Sequence, residues 1–113
     1  MSEVTIEQLE DQRKSEQNVV DRRDAALRLA NNRDFKKLIL EGFCGTEAAR
    51  YVQESGDPML SPEARQDALN MAQASGHLKR FLSYTVLFGN TSARTVKELD
   101  EALDEARGEE GAE

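Results

Sequence analysis

A single stripe of apolar and small residues constrains this 113-residue chain more than any other feature. Between residues 61 and 106 such residues fall alternately three and four positions apart, a spacing that places them on one side of an α-helix. The stripe, called the seam below, consists of Ala64, Ala68, Met71, Ser75, Leu78, Leu82, Thr85, Gly89, Ser92, Val96, Leu99, Leu103 and Ala106. Because so narrow a seam is typical of helix pairs, it predicts that another helix covers this one.

The remaining composition favours a small all-α protein. Charged residues make up 33% of the chain and apolar residues 38%, and there are two prolines and no tryptophan. The alternation of apolar and polar residues that marks strands is nearly absent. We therefore expect one helical domain over residues 1–108, followed by an acidic disordered tail at 109–113.

The net charge of −7 is distributed unevenly. Residues 96–113 hold eight acidic and two basic side chains, whereas residues 61–95 hold two acidic and four basic ones. Because binding of phosphates requires clustered Lys and Arg, this distribution disfavours nucleic acid as a partner. The acidic end is interpreted either as a solvated terminus or as a segment that mimics phosphates toward a basic partner.

Cysteine content and hydropathy bear on the compartment. Cys44 is the only cysteine, so no disulfide can form within the chain, which fits a reducing cytosol. The first residues lack the basic and apolar regions of a signal peptide. No apolar run approaches the length of a membrane span. We expect a soluble protein made in a cytoplasm and no membrane partner.

Three helices are predicted before the seam. The first runs from about Ile6 to Asn31, with Thr5 and Gln8 forming a capping box. The second runs from Arg33 to Phe43 and is expected to end at two glycines. A third is expected from Thr46 to Glu54. The second helix holds the densest apolar cluster, where we place the core: Phe35, Leu38, Ile39 and Phe43.

The last helix begins at Ser61-Pro62-Glu63, a strong N-terminal signal. Gly89-Asn90-Thr91 resembles a helix end followed by a new cap, but the seam keeps its phase across Gly89. This favours one long helix, straight or bent, over two helices. Its far end must then be covered by the first helix or by another chain. The expected protein-interface residues are Leu78, Leu82, Thr85, Gly89, Val96, Leu99 and Leu103.

No pattern typical of catalysis, cofactor binding or metal binding is found. His77 and Cys44 are remote in sequence and lack ligand-type spacing. The carboxylates of the last helix are interpreted as a solvated face. A basic set with Phe81 and Tyr84 nearby is interpreted as side chains that cover apolar helix surface, and less readily as a nucleic-acid site. This set comprises Lys36, Lys37, Arg50, Lys79, Arg80 and Arg94. We expect a protein that is not an enzyme and uses no cofactor or metal.

Three segments resemble short proteins encoded by tailed bacteriophages. The first is Asn32-Arg33-Asp34-Phe35-Lys36-Lys37-Leu38-Ile39-Leu40-Glu41-Gly42-Phe43. It is followed by Glu47-Ala48-Ala49-Arg50 and by Ala74-Ser75-Gly76-His77-Leu78-Lys79-Arg80-Phe81-Leu82. The resemblance covers about residues 26–108 and implies a phage origin and a role in the virion or its assembly, without implying any catalytic residue.

Together these observations predict an all-α fold in which a cluster of short helices lies between a long N-terminal helix and a longer C-terminal one, the two long helices forming a coiled-coil-like hairpin. The expected function is that of a non-enzymatic structural or assembly protein of a tailed phage particle. Its partner would be a phage structural protein, and the chain would be a homo-oligomer located in the virion and the host bacterial cytoplasm. The alternative is an early inhibitor that binds a host enzyme, with its acidic end mimicking nucleic acid.

Overall fold

A computed structural model describes residues 4–111, which are helical over most of their length. The elements are α1 (Ile6–Ala30), α2 (Arg33–Phe35), a π-helical segment (Lys36–Glu47), α3 (Ala48–Ser55) and α4 (Pro62–Gly111). Because α2, the π-helical segment and α3 are continuous, residues 33–55 are called the central segment below. No strand occurs within residues 4–111, which confirms the all-α prediction. None of the helices in this part of the chain is long and apolar enough to cross a membrane.

Three of the four predicted helix starts are confirmed by their capping hydrogen bonds, whereas no helix begins at Thr46. The Thr5 amide donates to Oε1 of Gln8 at 2.9 Å, and the Gln8 amide donates to Oγ1 of Thr5 at 3.1 Å. The Ala64 amide donates to Oγ of Ser61 at 3.1 Å, and the side chain of Asn32 caps α2 in the same way. Each bond satisfies an amide that would otherwise lack a partner at a helix N-terminus.

The predicted helix end at Gly42 and Gly45 is wrong. A glycine ends a helix by adopting a positive φ, and no glycine among the described residues does so. The chain instead widens into π-helical turns from Lys36 to Glu47, in which bonds run from residue i to i+5. The Thr46 hydroxyl follows this spacing and donates to the Glu41 carbonyl at 3.4 Å. The second and third predicted helices are therefore one segment.

The last helix is continuous from Pro62 to Gly111, so Gly89 does not interrupt it. The phase argument made from the sequence is thereby confirmed. The same helix contains residues 109–111, the first part of the predicted acidic tail. The remainder of that predicted tail, residues 112 and 113, lies outside the described residues.

The described residues divide into two compact units, where a single domain over residues 1–108 is predicted. The hairpin unit comprises the chain up to Ala25 together with the chain from Thr85, and the central unit comprises Ala26–Tyr84. In the hairpin unit the long N-terminal helix packs against the longer C-terminal helix, as predicted. Its buried apolar side chains are Val20, Val96, Leu99 and Leu103. Burial of one such side chain stabilises a fold by about 1.5–3 kcal/mol.

The core predicted in the central segment is wrong. Leu38 is 71% exposed, and no residue of the central segment is buried. The three other members of the predicted core, Phe35, Ile39 and Phe43, are half-buried. The density of apolar residues in a sequence measures how much surface needs covering, but it does not supply an element that covers it. The consequence is an apolar surface on this unit.

Candidate protein-interaction surface

The seven predicted interface residues differ in their exposure, which changes along the seam. In the central unit, Leu78 and Leu82 are half-buried. In the hairpin unit, Thr85 is half-buried, and the remaining four, Gly89, Val96, Leu99 and Leu103, are buried. The first helix, one of the two predicted partners of the seam, covers its far end. Burial within the chain means that this part of the seam no longer argues for a second chain.

The hairpin unit is held in register by polar contacts between α1 and α4. Nε of Arg13 donates to Oδ1 of Asp100 at 2.5 Å, and Nη2 of Arg107 donates to Oε1 of Glu10 at 2.8 Å. The hydrogen bond from Arg13 lowers the pKa of Asp100, against a smaller opposing effect of desolvation. These side chains border a 460 Å³ pocket that Lys14, Gln17 and Leu103 also line. Four of its polar side chains, Glu10, Arg13, Asp100 and Arg107, are already engaged in contacts between the two helices.

At Gly89 the two helices of this unit approach each other closely. A Cβ atom at this position would lie 2.1 Å from Cβ and 2.7 Å from Cγ of Arg23. The guanidinium of Arg23 continues past this point, where Nη1 donates to Oδ1 of Asn90 at 3.1 Å. Gly89 therefore serves helix packing, a role that the local sequence Gly-Asn-Thr does not reveal.

The candidate surface is an open groove on the central segment, with a volume of about 940 Å³. It is lined by Asp34, Lys37, Leu38, Ile39, Gly42, Phe43 and Glu47. Apolar side chains form its middle, and charged side chains form its two ends. Analysis of the sequence identified its apolar members but assigned them to the core. Because the glycines at 42 and 45 were interpreted as helix ends, the sequence predicted two helices where all these residues belong to one helical surface.

The charges at the C-terminal end of the groove form a small network. Arg50 donates to Glu47 through both Nε and Nη2, with the Nε bond at 2.9 Å. Its Nη1 donates to Oε1 of Glu54 at 2.5 Å. These hydrogen bonds, with that to Glu47 the strongest, raise the pKa of Arg50. The guanidinium also lies over the ring of Tyr51, 4.8 Å from its centre, so several contacts orient it.

The residues considered for chemistry have ordinary surroundings. His77 is exposed, and Sγ of Cys44 donates weakly to the Ser75 carbonyl at 3.7 Å. The guanidinium of Arg80 lies over the ring of Tyr84 at 5.1 Å. Over residues 4–111 no three His, Cys, Asp or Glu side chains are close enough together to hold a metal ion.

Comparison with known proteins gives no match. No protein-family model, no curated protein and no solved structure is detectably similar to this chain. The functional argument therefore depends on the surfaces just described.

Proposed function

We propose that this chain is a non-enzymatic structural or assembly protein that acts through helix–helix contacts with other proteins. The observation that carries the proposal is the composition of the central unit's interior. Within Ala26–Tyr84 the buried residues are Ala68 and Ser75, both small. The larger apolar side chains remain accessible: Met59 is 88% exposed and Val52 is 59% exposed, in addition to Leu38. Leu38 lies with Ile39 and Phe43 in the lining of the groove, and an exposed apolar surface of this kind is typical of protein-binding sites.

The energetic reasoning supports a partner. A unit of about 60 residues is marginally stable even with a buried core, because it buries a small fraction of its surface. Each large apolar side chain left in water fails to contribute the stabilisation of about 1.5–3 kcal/mol that its burial would give. A partner that covered several of them would stabilise the unit and gain affinity from the same contact. We place this role in a tailed phage particle because of the resemblance carried by residues 32–43, 47–50 and 74–82.

The test is the incorporation of the protein into particles. Mass spectrometry of purified virions of the phage that encodes the chain is expected to detect it in defined copy number. Val52→Asn should reduce incorporation, whereas Gln53→Asn, an exposed polar change one residue away, should leave it unchanged. Circular dichroism should show equal helix content for both variants. Absence of the protein from virions, or equal incorporation of both variants, would contradict the proposal.

A second candidate function rests on the acidic face of α4. Glu98, Glu101 and Glu105 are exposed and fall three and four residues apart, so they form one stripe of negative charge on a helix. Such a stripe can attract the basic groove of a nucleic-acid enzyme of the host. Replacing the three with Gln should then abolish binding to that enzyme. If the virion contains the chain and the triple variant assembles normally, this candidate is removed.

A further inference from the structure

We infer that the groove of the central segment binds the same groove of a second copy of this chain, in an antiparallel pair centred on Gly42. The inference rests on the proposed function and makes it specific, since it names one partner and one register. A twofold contact requires a surface that complements itself, so that each residue i facing residue j is matched by j facing i. The groove meets this requirement in the order of its charges.

The apolar middle of the groove supplies the contact. Leu38 is largely exposed, and Ile39 and Phe43 are half-buried beside it. Gly42 lies among them in the lining of the groove. A residue without a side chain at the centre of a helix pair allows the two backbones to approach closely, and the larger side chains then pack to either side.

The charges determine the register. In an antiparallel pair centred on residue 42, positions whose numbers are equally far from 42 face each other. Lys37 then faces Glu47 of the second copy, five residues from the centre on either side. Asp34 faces Arg50 of the second copy, eight residues from the centre. Both pairs join opposite charges, and the twofold axis forms each of them twice.

Neighbouring registers lose the pair between Lys37 and Glu47. A centre moved by one residue to position 41 places Gly45 opposite Lys37, and a centre moved to position 43 places Ala49 there. Loss of the opposite-charge partner selects against these pairings. The sequence of charges along the segment thus favours the register centred on Gly42 over those two.

The second copy also completes the charge network within each chain. Arg50 already pairs with Glu47 and Glu54 along its own helix. Asp34 and Lys37, by contrast, form no ion pair with any residue in the described part of the chain. In the proposed pair, Asp34 of one copy joins the Arg50 guanidinium of the other. Lys37 joins the carboxylate that this guanidinium holds in place, and the result is an alternating row of charges.

The test is sedimentation velocity of the full chain over a concentration series from micromolar to near-millimolar. The chain is expected to show a reversible monomer–dimer equilibrium. Lys37→Glu and Glu47→Lys should each raise the dimer dissociation constant by about tenfold or more, because either change turns two symmetric attractions into repulsions. A chain that stays monomeric throughout the series would overturn the inference.

Mixing the two variants tests the register directly. In an equimolar mixture every facing pair at positions 37 and 47 again joins Glu with Lys, so a heterodimer should form with at least the wild-type affinity. Neither variant alone should dimerise to this extent. A mixture that dissociates as readily as the separate variants would overturn the antiparallel pairing.

Matched controls separate charge from position. Glu54→Lys removes the other carboxylate that pairs with Arg50, and Lys79→Glu repeats the charge change at an exposed site on α4. Both should leave the dissociation constant within about twofold of the wild type. Leu38→Asn should give a monomer with unchanged helix content. If the control variants and the groove variants change the dissociation constant equally, the groove is not the dimer contact. The proposed function would still stand in that case, because it is tested separately by the virion measurement.

Discussion

Replacing Gly89 with alanine tests whether helix packing, and not a helix end, explains this glycine. The new Cβ atom would lie 2.1 Å from Cβ of Arg23, whereas carbon atoms in contact are about 3.5–4.0 Å apart. The obstacle is attached directly to the backbone of α1, so a rotation of the arginine side chain cannot remove it. The helices of the hairpin unit must separate, and the contacts of their buried apolar residues are weakened.

The magnitude follows from two opposing effects. Overpacking of this kind costs about 1–3 kcal/mol, and we take the upper end because a backbone-linked atom is displaced. Alanine gains about 1 kcal/mol over glycine from its greater helix propensity. The net loss is about 2 kcal/mol in the free energy of unfolding, which corresponds to a decrease of roughly 8 °C in the thermal midpoint for a chain of this size.

Gly76 provides the matched control in the same helix. A Cβ atom there has no neighbour within 4 Å, so Gly76→Ala should show the propensity gain alone and stabilise the protein by about 1 kcal/mol. Urea unfolding followed by circular dichroism at 222 nm measures both variants. The two glycines should thus respond with opposite signs. If Gly89→Ala stabilises the protein as much as Gly76→Ala does, the close approach of Arg23 to Gly89 is refuted.

Three further predictions concern stability. Replacing Leu103, which is 2% exposed, with Ala should lower the free energy of unfolding by about 2–5 kcal/mol. By contrast, Leu87→Ala on the exposed face should change the urea midpoint little. Because the hydrogen bond from Arg13 lowers the pKa of Asp100, the unfolded chain binds more protons in acid, and this contribution to stability should fade from about pH 5 downward. In Asp100→Asn the thermal midpoint should therefore decline less between neutral pH and about pH 3 than in the wild type, and parallel curves would contradict the ion pair. Ser61→Ala should lower stability by about 1 kcal/mol through loss of the α4 cap, and an unchanged midpoint would argue against that cap.

Local signals in the sequence predicted three of the four helix starts, and the start predicted at Thr46 is wrong. The caps at Thr5 and Ser61 depend on a side chain and an amide three residues away, so a short stretch of sequence contains all the information. The period of the seam similarly predicted which face of α4 would be covered. Every residue of α4 classed as buried belongs to the seam, including small ones such as Ser75 and Ser92.

Features that depend on a distant residue could not be predicted in this way. Whether Gly89 ends a helix or allows a second helix to pack closely depends on Arg23, which lies 66 positions earlier in the chain. Whether the apolar cluster around Leu38 forms a core depends on whether another element covers it, and periodicity contains no information about that. The sequence therefore identified the apolar residues of the groove but wrongly predicted that they are buried in a core.

The two units differ in how far their large apolar side chains are buried, and this difference supports a separate role for each unit. The hairpin unit buries Leu99 and Leu103 and joins its helices with ion pairs such as that between Arg13 and Asp100, so its helices are held together within the chain. The central unit has a comparable supply of apolar side chains but buries Ala68 and Ser75 instead. Because the same chain can evidently build a closed interior, the open groove is better explained as a surface kept for association than as a shortage of apolar residues. Charges at both ends of that groove then restrict which partner and which register can close it.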